Sequence, residues 1–340
     1  MEKKLPILGI SAGDPAGIGP EIAAKALMQK EIYEICKPLV VCDARIMLQI
    51  ISLCGFNLKI NAIAKPSEGC YRFGTIDVLD MKNVDASFQF NTVSAMTGKA
   101  SFEYVKKVID LAKSGEIDAT ITGPIHKEAI QKAGFNFAGH TEIYAALTDT
   151  KDYTMMLADG QFRVVHVSTH VSLLEAIKRV KKERVLKVIQ LADTALRRID
   201  IANPKIAVAG LNPHAGENGL FGTEEIDEII PAIEAAVKSG IHAEGPFPPD
   251  TIFPKMKGGQ YDVVVCMYHD QGHIPTKLLG FSYNHERGKW EGLSGVNITL
   301  GLPVIRVSVD HGVAFDKGGK GEANAESMIQ AIKYGARLCG

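Results

Sequence analysis

Short apolar runs recur along the chain with helical patterns between them, and this alternation constrains the fold more than any other feature of the sequence. The runs lie at 5–11, 38–44, 58–64, 75–81, 118–124, 162–169, 205–211, 261–269 and 298–309. Between them, apolar residues spaced three and four apart predict helices over 20–30, 97–114, 183–198, 223–239 and 322–338. Strands that alternate with helices are typical of an α/β protein whose largely parallel sheets are covered by helices.

The length of the chain indicates two domains. It has 340 residues, whereas a single hydrophobic core stops growing at roughly 250 to 300 residues. No internal repeat or proline-rich linker marks a boundary between the domains. Because the first and last segments carry similar glycine-rich loops, we expect 1–125 plus 301–340 to form one lobe and 126–300 the other, with a cleft between them.

The composition excludes several classes of protein. A net charge of −1 without a basic block argues against nucleic acid as a partner. The first apolar run ends in a Gly-Asp turn without a cleavage site, which indicates a strand rather than a signal peptide, and nothing in the sequence predicts a membrane span. The six cysteines show no CxxC spacing, as expected for free thiols in a reducing compartment. We therefore predict a cytoplasmic protein.

Three histidines lie at or just beyond the ends of apolar runs. They are His170 after FRVVHVST, His214 after KIAVAGLNP and His269 after DVVVCMY. Ligands of open α/β sheets bind at the carboxyl ends of strands, and three neutral imidazoles with one open position suit a catalytic Zn²⁺ or a similar ion. The alternative is that these histidines cap strand ends or bond to backbone carbonyls. Position alone does not choose between the two.

Two of these histidines have polar neighbourhoods. The string YHDQGHIPTK groups five polar side chains at one strand exit: His269, Asp270, Gln271, His273 and Lys277. Such density after a buried strand usually lines a site, where Asp270 would bond to a liganding imidazole and fix its tautomer. Around His214, the string GLNPHAGENG predicts a tight turn in which Glu217 adds an anion. For His273 and Glu217 a structural loop contact is the favoured interpretation.

Three stretches have the features of anion-binding loops. GDPAGIGPEI at 13–22 follows the first strand and opens a helix, so its backbone N–H groups are free to face a phosphate or carboxylate. HGVAFDKGGKGEAN at 311–324 is a second glycine-rich loop, with Lys317 and Lys320 to attract an anion. AGHTEIYAAL puts His140 and Thr141 at a helix start, where an N-cap role for Thr141 competes evenly with ligand binding.

A phosphate is the anion that the remaining polar residues favour. Arg306 lies within the apolar run LPVIRVSV, where a buried guanidinium is costly unless an anion satisfies it. On an edge strand it would simply face water. Together with Lys277 and the neutral donor Asn297, it suits a phosphate without creating a basic surface.

Taken together, several strings resemble the PdxA family, in order from the first strand to the last helix. They are GDPAGIGPEI, GPIHKEAI, GHTEIYA, STHVSL, GLNPHAGENGLFGTEE, GPFPPDTIF, MYHDQGHIPTKLLGF and GVNITLGLPVIRVSVDHGVAFDKGGKGEAN. The founding member is the 4-hydroxythreonine-4-phosphate dehydrogenase of pyridoxal-phosphate biosynthesis. GDPAGIGPE and HGVAFDKGGKG are also similar to the NAD-binding loops of isocitrate and isopropylmalate dehydrogenases. The resemblance implies their two-lobed α/β/α fold rather than a standard Rossmann domain.

The resemblance also implies the parts of an active site. The metal ligands it implies are His170, His214 and His269, in a homodimer in which one subunit contributes a ligand to the site of the other. The substrate contacts it implies are His140, Thr141, Lys277, Asn297 and Arg306. The NAD contacts expected in the two glycine-rich loops are Gly13, Asp14, Gly17, Gly19, His311, Gly312, Asp316, Gly319, Lys320 and Asn324. Asp250 and Asp270 are candidates for proton handling, for support of the ligands, or for a purely structural role.

Three features depart from the founding enzyme. The stretch 282–295 is longer and includes the only tryptophan, so it is either a lid or a surface insertion. Lys317 and Gly318 stand where the family usually has Ile-Ala. The strings ENGLFGTEE and HIPTKLLGF are closer to the second PdxA subfamily, which resembles 4-phospho-D-threonate and 4-phospho-D-erythronate 3-dehydrogenases.

The sequence therefore predicts an enzyme that uses NAD and one divalent ion (Zn, Mg, Mn or Co) to oxidise and decarboxylate such a 4-phosphorylated acid to dihydroxyacetone phosphate. Two alternatives stay within the family: a 4-hydroxythreonine-4-phosphate dehydrogenase and a dehydrogenase of an aromatic cis-dihydrodiol carboxylate. A three-histidine metal hydrolase and an inactive metal-binding homologue are alternatives from other classes.

Overall fold

The computed structural model of the protein describes residues 4–286, 289–293 and 295–340. Its strands alternate with helices along most of the chain, as predicted. In chain order the strands are β1 (Ile7–Ser11), β2 (Lys37–Cys42), β3 (Lys59–Ile63), β4 (Thr75–Asp80), β5 (Ala119–Thr122), β6 (Thr154–Asp159), β7 (Phe162–His166), β8 (Ile206–Ala209), β9 (Ala243–Phe247), β10 (Val263–Cys266), β11 (Phe281–Asn284), β12 (Lys289–Leu293), β13 (Val296–Leu300) and β14 (Ile305–Val309).

The helices share amphipathic patterns and cover the strands. They are α1 (Gly19–Ala26), α2 (Lys30–Ile35), α3 (Ala44–Cys54), α4 (Ala95–Lys113), α5 (Lys127–Lys132), α6 (His140–Leu147), α7 (Leu173–Arg179), α8 (Lys182–Arg198), α9 (Ile230–Lys238, preceded by a π-turn at Glu225–Ile229), α10 (Pro249–Lys257), α11 (His269–Gly280) and α12 (Glu326–Leu338). Within the described ranges, none of these helices is long and apolar enough to cross a membrane.

The chain divides into two compact units, and their boundaries differ in part from the expected ones. The first unit extends to Lys151 and includes Leu302–Cys339, while the second is essentially Asp152–Gly301. The second unit ends at Gly301, and the chain returns to the first unit at Leu302. The other boundary, expected near 125, lies later because α5 and α6 pack on α4. There the Phe102 ring stacks on that of Phe135, with 3.8 Å between centroids.

The first unit contains a parallel sheet. Its strand order is β3-β4-β2-β1-β5-β14, and every neighbouring pair is parallel. This order differs from that of a standard Rossmann domain, as predicted. Ser11 of β1 and Ser308 of β14 both pair with Thr122 of β5, so the carboxyl ends of these three strands meet at one edge. The two glycine-rich loops and the start of α12 follow that edge.

The second unit contains a mixed sheet of order β13-β6-β7-β10-β8-β9. The pairs on either side of β6 are antiparallel, whereas β7, β10, β8 and β9 run parallel. Cys266 at the end of β10 pairs with His166 at the end of β7. The loops after β7, β10 and β8 carry His170, His269 and His214, so the parallel part of this sheet places all three histidines at one edge.

Several elements differ from the predicted ones. The apolar run 298–309 is two strands, β13 and β14, since the chain turns at Gly301 with φ of +94°. The run 261–269 stops at Cys266, and His269 is the first residue of α11. The long stretch 282–295 forms part of a β-hairpin in which the Tyr283 backbone pairs with that of Trp290. Residues 287, 288 and 294 of this stretch lie outside the described residues.

Candidate active site

His269 and His170 come together in the second unit. Their ring centroids are 5.6 Å apart. The Oδ1 atom of Asp270 lies 2.7 Å from Nδ1 of His269. Because a carboxylate accepts a hydrogen bond from an imidazole N–H, this contact holds the proton on Nδ1 and leaves the Nε2 lone pair for a metal ion.

His214 lies in a strained turn that the sequence analysis predicted only as tight. Five consecutive residues from His214 to Asn218 have φ between +44° and +82°, a single turn of left-handed backbone. Residues other than glycine pay roughly 1–2 kcal/mol each for this conformation. Strain of this kind persists only where surrounding contacts enforce it, which is common at functional sites. The Nδ1 atom of His214 is 3.2 Å from Oε2 of Glu217, so this imidazole also has a carboxylate behind it.

Glu225 enforces the turn, and the sequence analysis did not single it out. Its buried carboxylate accepts the backbone N–H groups of Leu211 and Asn212 at 2.7 and 2.8 Å, and the Asn212 side-chain amide at 2.9 Å. In the sequence it is one acid of the string GTEEID, indistinguishable from surface acids at a helix start. Only the packing of that helix start beneath the turn shows its role.

Gln271 connects the loops that carry His214 and His269. Its Oε1 accepts the Met267 N–H at 2.6 Å, and its Nε2 donates to the Gly210 carbonyl at 2.8 Å. Gly210 directly follows β8, and Met267 directly follows β10. The buried amide therefore sets the spacing between the two strand exits from which these histidines emerge.

Two further histidines pack behind His269. The ring of His273 stacks on it with 3.6 Å between centroids, and His166 lies 4.7 Å from His273. The His273 Nδ1 lies 3.0 Å from the carbonyl of His269, one helical turn earlier. His166 was not predicted as a site residue. Burial, followed by the nearby histidines, lowers its pKa to about 3, so it is neutral at physiological pH.

The imidazoles have the chemistry of a metal site, but one chain does not complete it. His269 and His214 each have a carboxylate at Nδ1, the arrangement that orients liganding histidines. Within the described part of a single chain, however, no three histidine, cysteine, aspartate or glutamate side chains come close enough to hold an ion. His214 contacts the ring of Phe221 instead, with 6.1 Å between centroids. Metal binding by His170, His214 and His269 therefore stays a prediction, and it requires a ligand from outside this chain.

Arg306 and Thr141 meet in the first unit. The guanidinium is buried and donates to the hydroxyls of Thr141 and Thr122, at 3.3 and 3.2 Å. Burial lowers the pKa of Arg306 to about 10, which still leaves the group cationic at neutral pH. The alternative of a water-facing Arg306 is wrong, because only 3% of the residue is exposed.

His140 completes a cluster of anion-binding groups with Arg306 and Thr141. Its buried Nε2 has no hydrogen-bond partner within the part of the chain that the structure describes. Burial, and secondly the charge of Arg306, hold its pKa well below the ordinary value, so the imidazole is neutral. The N-cap of α6 is Gly139 and not Thr141, and no side chain caps this helix start. The Thr141 hydroxyl, which accepts a hydrogen bond from Arg306, is therefore not used as a cap and lies at a helix terminus that favours anions.

The two glycine-rich loops of the first unit lie side by side. Ile18 N–H donates to the Val313 carbonyl at 3.0 Å, and a Cβ on Gly17 would stand 2.7 Å from that oxygen. This close approach of two backbones explains the glycine at position 17. No side chain caps the start of α1, so its backbone donors remain available to an anionic cofactor.

An ion pair between the buried Glu21 and the partly buried Lys25 holds these loops together, and neither residue was predicted to have this role. Glu21 accepts the backbone N–H groups of Gly321 and Ala323 at 3.1 and 2.7 Å. Lys25 donates to Glu21 at 2.9 Å and to the carbonyls of the same two residues at 2.8 and 2.7 Å. The i, i+4 spacing of Glu21 and Lys25 is visible in the sequence. That the pair faces the second loop is seen only in the structure.

The predicted cofactor residues occupy varied positions in these loops. Asp14 is buried, and burial raises its pKa to about 6 against the opposing hydrogen bond from the Ala16 N–H. Asn324 accepts the Glu326 N–H at 2.8 Å and so starts α12. The others lie along the loop backbone, with the side chains of Asp316 and Lys320 exposed: Gly13, Gly17, Gly19, His311, Gly312, Asp316, Gly319 and Lys320. Of the two residues that replace the usual Ile-Ala of the family, Lys317 is exposed and Gly318 is buried.

The remaining predicted residues lie in the second unit. Lys277 is on α11, with its Nζ 4.8 Å from the centroid of the Phe281 ring. Asn297 lies on β13 opposite Leu157 of β6. Asp250 is exposed in the first turn of α10, where an acid stabilises a helix regardless of catalysis.

The α/β fold of two units, the paired glycine-rich loops and the histidines at one sheet edge are the features expected of the PdxA family. The family described as "Pyridoxal phosphate biosynthetic protein PdxA" matches residues 34–335. The chain belongs to the PdxA family.

Two similar proteins are named as dehydrogenases. One from Oceanobacillus iheyensis, provisionally named D-threonate 4-phosphate dehydrogenase, is 47% identical over 340 residues, covering 99% of both chains. Another with the same name, from Clostridium botulinum, is 45% identical over 338 residues, 99% of this chain and 98% of the relative.

Solved structures that are similar to this chain share its fold. A 4-hydroxythreonine-4-phosphate dehydrogenase from Burkholderia phymatum has a TM-score of 0.86 at 42% identity, covering 99% of both chains. A terephthalate 1,2-cis-dihydrodiol dehydrogenase from Burkholderia xenovorans has a TM-score of 0.70 at 30% identity, covering 97% of both chains. The predicted family, and an α/β fold other than a simple Rossmann domain, are therefore confirmed.

Proposed function

We propose that this chain is an NAD- and divalent-metal-dependent dehydrogenase that oxidises 4-phospho-D-threonate or 4-phospho-D-erythronate at C3, with loss of the carboxyl group as CO₂. The observation that carries the proposal is the anion-binding cluster of Arg306, His140 and Thr141. It combines a buried cation, an imidazole nitrogen that has no hydrogen-bond partner among the described residues, and a helix start without a side-chain cap. These groups suit a phosphate. The choice of acid is supported by the names of the relatives at 45–47% identity.

The proposed reaction converts the C3 hydroxyl to a ketone. The hydride from C3 passes to the nicotinamide ring of NAD, and the hydroxyl proton leaves to a base. The resulting β-keto acid loses CO₂, and protonation of the enolate that remains gives dihydroxyacetone phosphate. NAD is the proposed cofactor, as the family resemblance implies. The glycine-rich loops that begin at Gly13 and His311 are proposed to bind the cofactor.

Each group of residues has its own role in this proposal. His170, His214 and His269 would hold a divalent ion, which when bound supplies Lewis-acid polarisation of substrate oxygens. His140, Thr141 and Arg306 would bind the phosphate group, and the resemblance to the PdxA family adds Lys277 and Asn297 as expected substrate contacts. Asp270 supports His269, as its 2.7 Å contact suggests. The exposed Asp250 is the weaker candidate for proton handling.

A homodimer is proposed because the second unit exposes apolar side chains near the proposed metal ligands. Ile274 and Leu278, 63% and 80% exposed, lie on the helix that His269 begins. Leu174, four residues after His170, is 66% exposed, and Leu220, six residues after His214, is 72% exposed. A second copy of this chain would cover these surfaces and bring a further ligand to each incomplete metal site. The six free cysteines fit the proposed cytoplasmic location.

A second candidate substrate is 4-hydroxythreonine 4-phosphate. Structures of enzymes named for it, from Burkholderia phymatum and Klebsiella pneumoniae, reach a TM-score of 0.86 at 42% and 40% identity. That compound carries an ammonium group where the threonate has a hydroxyl. The same phosphate cluster would bind either molecule.

One assay tests the proposal. NAD reduction is measured with 4-phospho-D-threonate, 4-phospho-D-erythronate, 4-hydroxythreonine 4-phosphate and a cis-dihydrodiol carboxylate, with Zn²⁺, Mg²⁺, Mn²⁺ or Co²⁺ added. We expect the largest kcat/KM for one of the phosphorylated acids, together with stoichiometric dihydroxyacetone phosphate. Preference for 4-hydroxythreonine 4-phosphate would select the second candidate. Turnover without NAD would indicate a hydrolase, and absence of any turnover an inactive homologue.

A further inference from the structure

Tyr144 packs its ring against the guanidinium of Arg306. It lies in α6, one helical turn after His140, and is fully buried. The Arg306 Cζ is 5.5 Å from the centroid of the ring. The negative face of an aromatic ring stabilises a nearby cation, most strongly where water is excluded. A contact of this kind stabilises the cation through the ring and not through a hydrogen bond to the Tyr144 hydroxyl.

The hydroxyl of Tyr144 is fixed by a chain of hydrogen bonds that returns to the same arginine. It donates to Thr120 Oγ1 at 2.9 Å, and Thr120 in turn donates to the carbonyl of Ile305, also at 2.9 Å. Ile305 directly precedes Arg306 on β14. Burial raises the pKa of Tyr144 to about 12, so the hydroxyl keeps the proton that it donates. The ring plane is thereby held relative to the strand that carries the guanidinium.

We propose that Tyr144 is a positioning residue for anion binding, acting through Arg306. Thr141 and Thr122 accept hydrogen bonds from two nitrogens of the guanidinium, and the Tyr144 ring packs beside it as a third support. A planar donor group that is oriented in advance loses less freedom when it binds a phosphate. The inference rests on the proposed function of His140, Thr141 and Arg306 as the phosphate site.

The test uses the full-length enzyme and inorganic phosphate as a competitive inhibitor. Tyr144→Leu removes the ring and the hydroxyl, and we expect it to raise KM for the phosphorylated substrate and Ki for phosphate roughly tenfold, with kcat within about threefold of wild type. Tyr144→Phe keeps the ring, and we expect a rise of about threefold. Tyr104→Phe is the matched control. It removes an equally buried hydroxyl of the first unit, one that accepts the Asp43 N–H at 3.0 Å, and should leave KM and Ki unchanged.

A double-mutant comparison separates positioning from general packing. If Tyr144 acts through Arg306, then Tyr144→Leu should have little further effect on Ki in an Arg306→Met background. An equal loss in both backgrounds overturns the inference, and so does an unchanged Ki in Tyr144→Leu alone. Should Tyr144→Leu fail to fold, Thr120→Val interrupts the same hydrogen-bond chain and must raise Ki by a similar route. Absence of phosphate inhibition and of substrate turnover in the wild type would instead overturn the proposed function.

Discussion

The carboxylate of Asp270 holds the imidazole of its neighbour His269 through a 2.7 Å contact between Oδ1 and Nδ1. Partners of this kind fix the tautomer of a liganding histidine and raise its basicity, and their loss typically costs 10–100-fold in metal affinity. Asp270→Asn should therefore weaken metal binding by about tenfold or more while the enzyme stays folded. Metal titration by calorimetry checks this. Asp250→Asn, an exposed acid of the same unit, is the control, and equal affinities for the two variants would contradict a supporting role.

Loss of the Glu225 carboxylate should release the left-handed turn at His214. The buried carboxylate accepts three hydrogen bonds, so Glu225→Ala leaves their donors unsatisfied. We expect this to lower the free energy of unfolding by about 3 kcal/mol. We expect weaker metal binding in addition, because His214 loses its enforced position. Urea unfolding and metal titration measure the two effects. Glu224→Ala, at the more exposed neighbouring acid, should change both far less, and a Glu225→Ala protein with wild-type stability would refute the assigned role.

Asp14 makes the free energy of unfolding of the protein depend on pH. Its pKa is raised from 3.8 to about 6, mainly by burial, so the folded state binds this proton more tightly than the unfolded chain does. The contribution is fully present below about pH 4 and is lost as pH rises through about 6, a change of about 2–3 kcal/mol. Asp14→Asn should remove this slope. The difference between wild-type and variant unfolding free energies, measured from pH 4 to pH 8, tests it, and a constant difference would sink the claim.

Gly272 has no room for a side chain. A Cβ there would stand 2.5 Å from Nε2 of His166 and 3.0 Å from Sγ of Cys266. Gly272→Ala should destabilise the protein by about 1–3 kcal/mol, since overpacking forces the first turn of α11 away from the sheet. Thermal unfolding checks this. Gly258→Ala is the control because its Cβ would meet nothing closer than 3.4 Å. A smaller effect for Gly272→Ala than for Gly258→Ala would contradict this packing.

Leu278 tests the proposed homodimer. It is 80% exposed on α11, and Ile274 precedes it by one turn on the same face. Leu278→Lys should shift the protein towards monomers and lower metal affinity with it, because each metal site is proposed to need a ligand from the second copy. Analytical ultracentrifugation of wild type and variant gives the result. Leu53→Lys, a 62% exposed leucine of the first unit, should leave the mass unchanged. A monomeric wild type that binds metal fully would falsify the shared site.

Much of the fold could be predicted from local patterns. Alternating strands and helices, the strand-end positions of His170, His214 and His269, and the burial of Arg306 all follow from runs of side chains a few residues long. The break within 298–309 could not be read in this way, because both strands are apolar and only the backbone turn at Gly301 separates them. The extension of the first compact unit to Lys151 could not be read locally for a related reason, since the packing of Phe102 on Phe135 is not a local property.

The sequence by itself determined which chemistry is available: imidazoles after buried strands, an arginine within an apolar run, and glycine-rich loops before helices. Only the tertiary structure decided which other side chains hold these residues in position. Glu225 beneath the His214 turn, Tyr144 against Arg306 and His166 behind His273 are separated by 11, 162 and 107 positions along the chain. The physical reason is that buried polar and aromatic side chains take their roles from partners supplied by other elements, and those partners are chosen by packing.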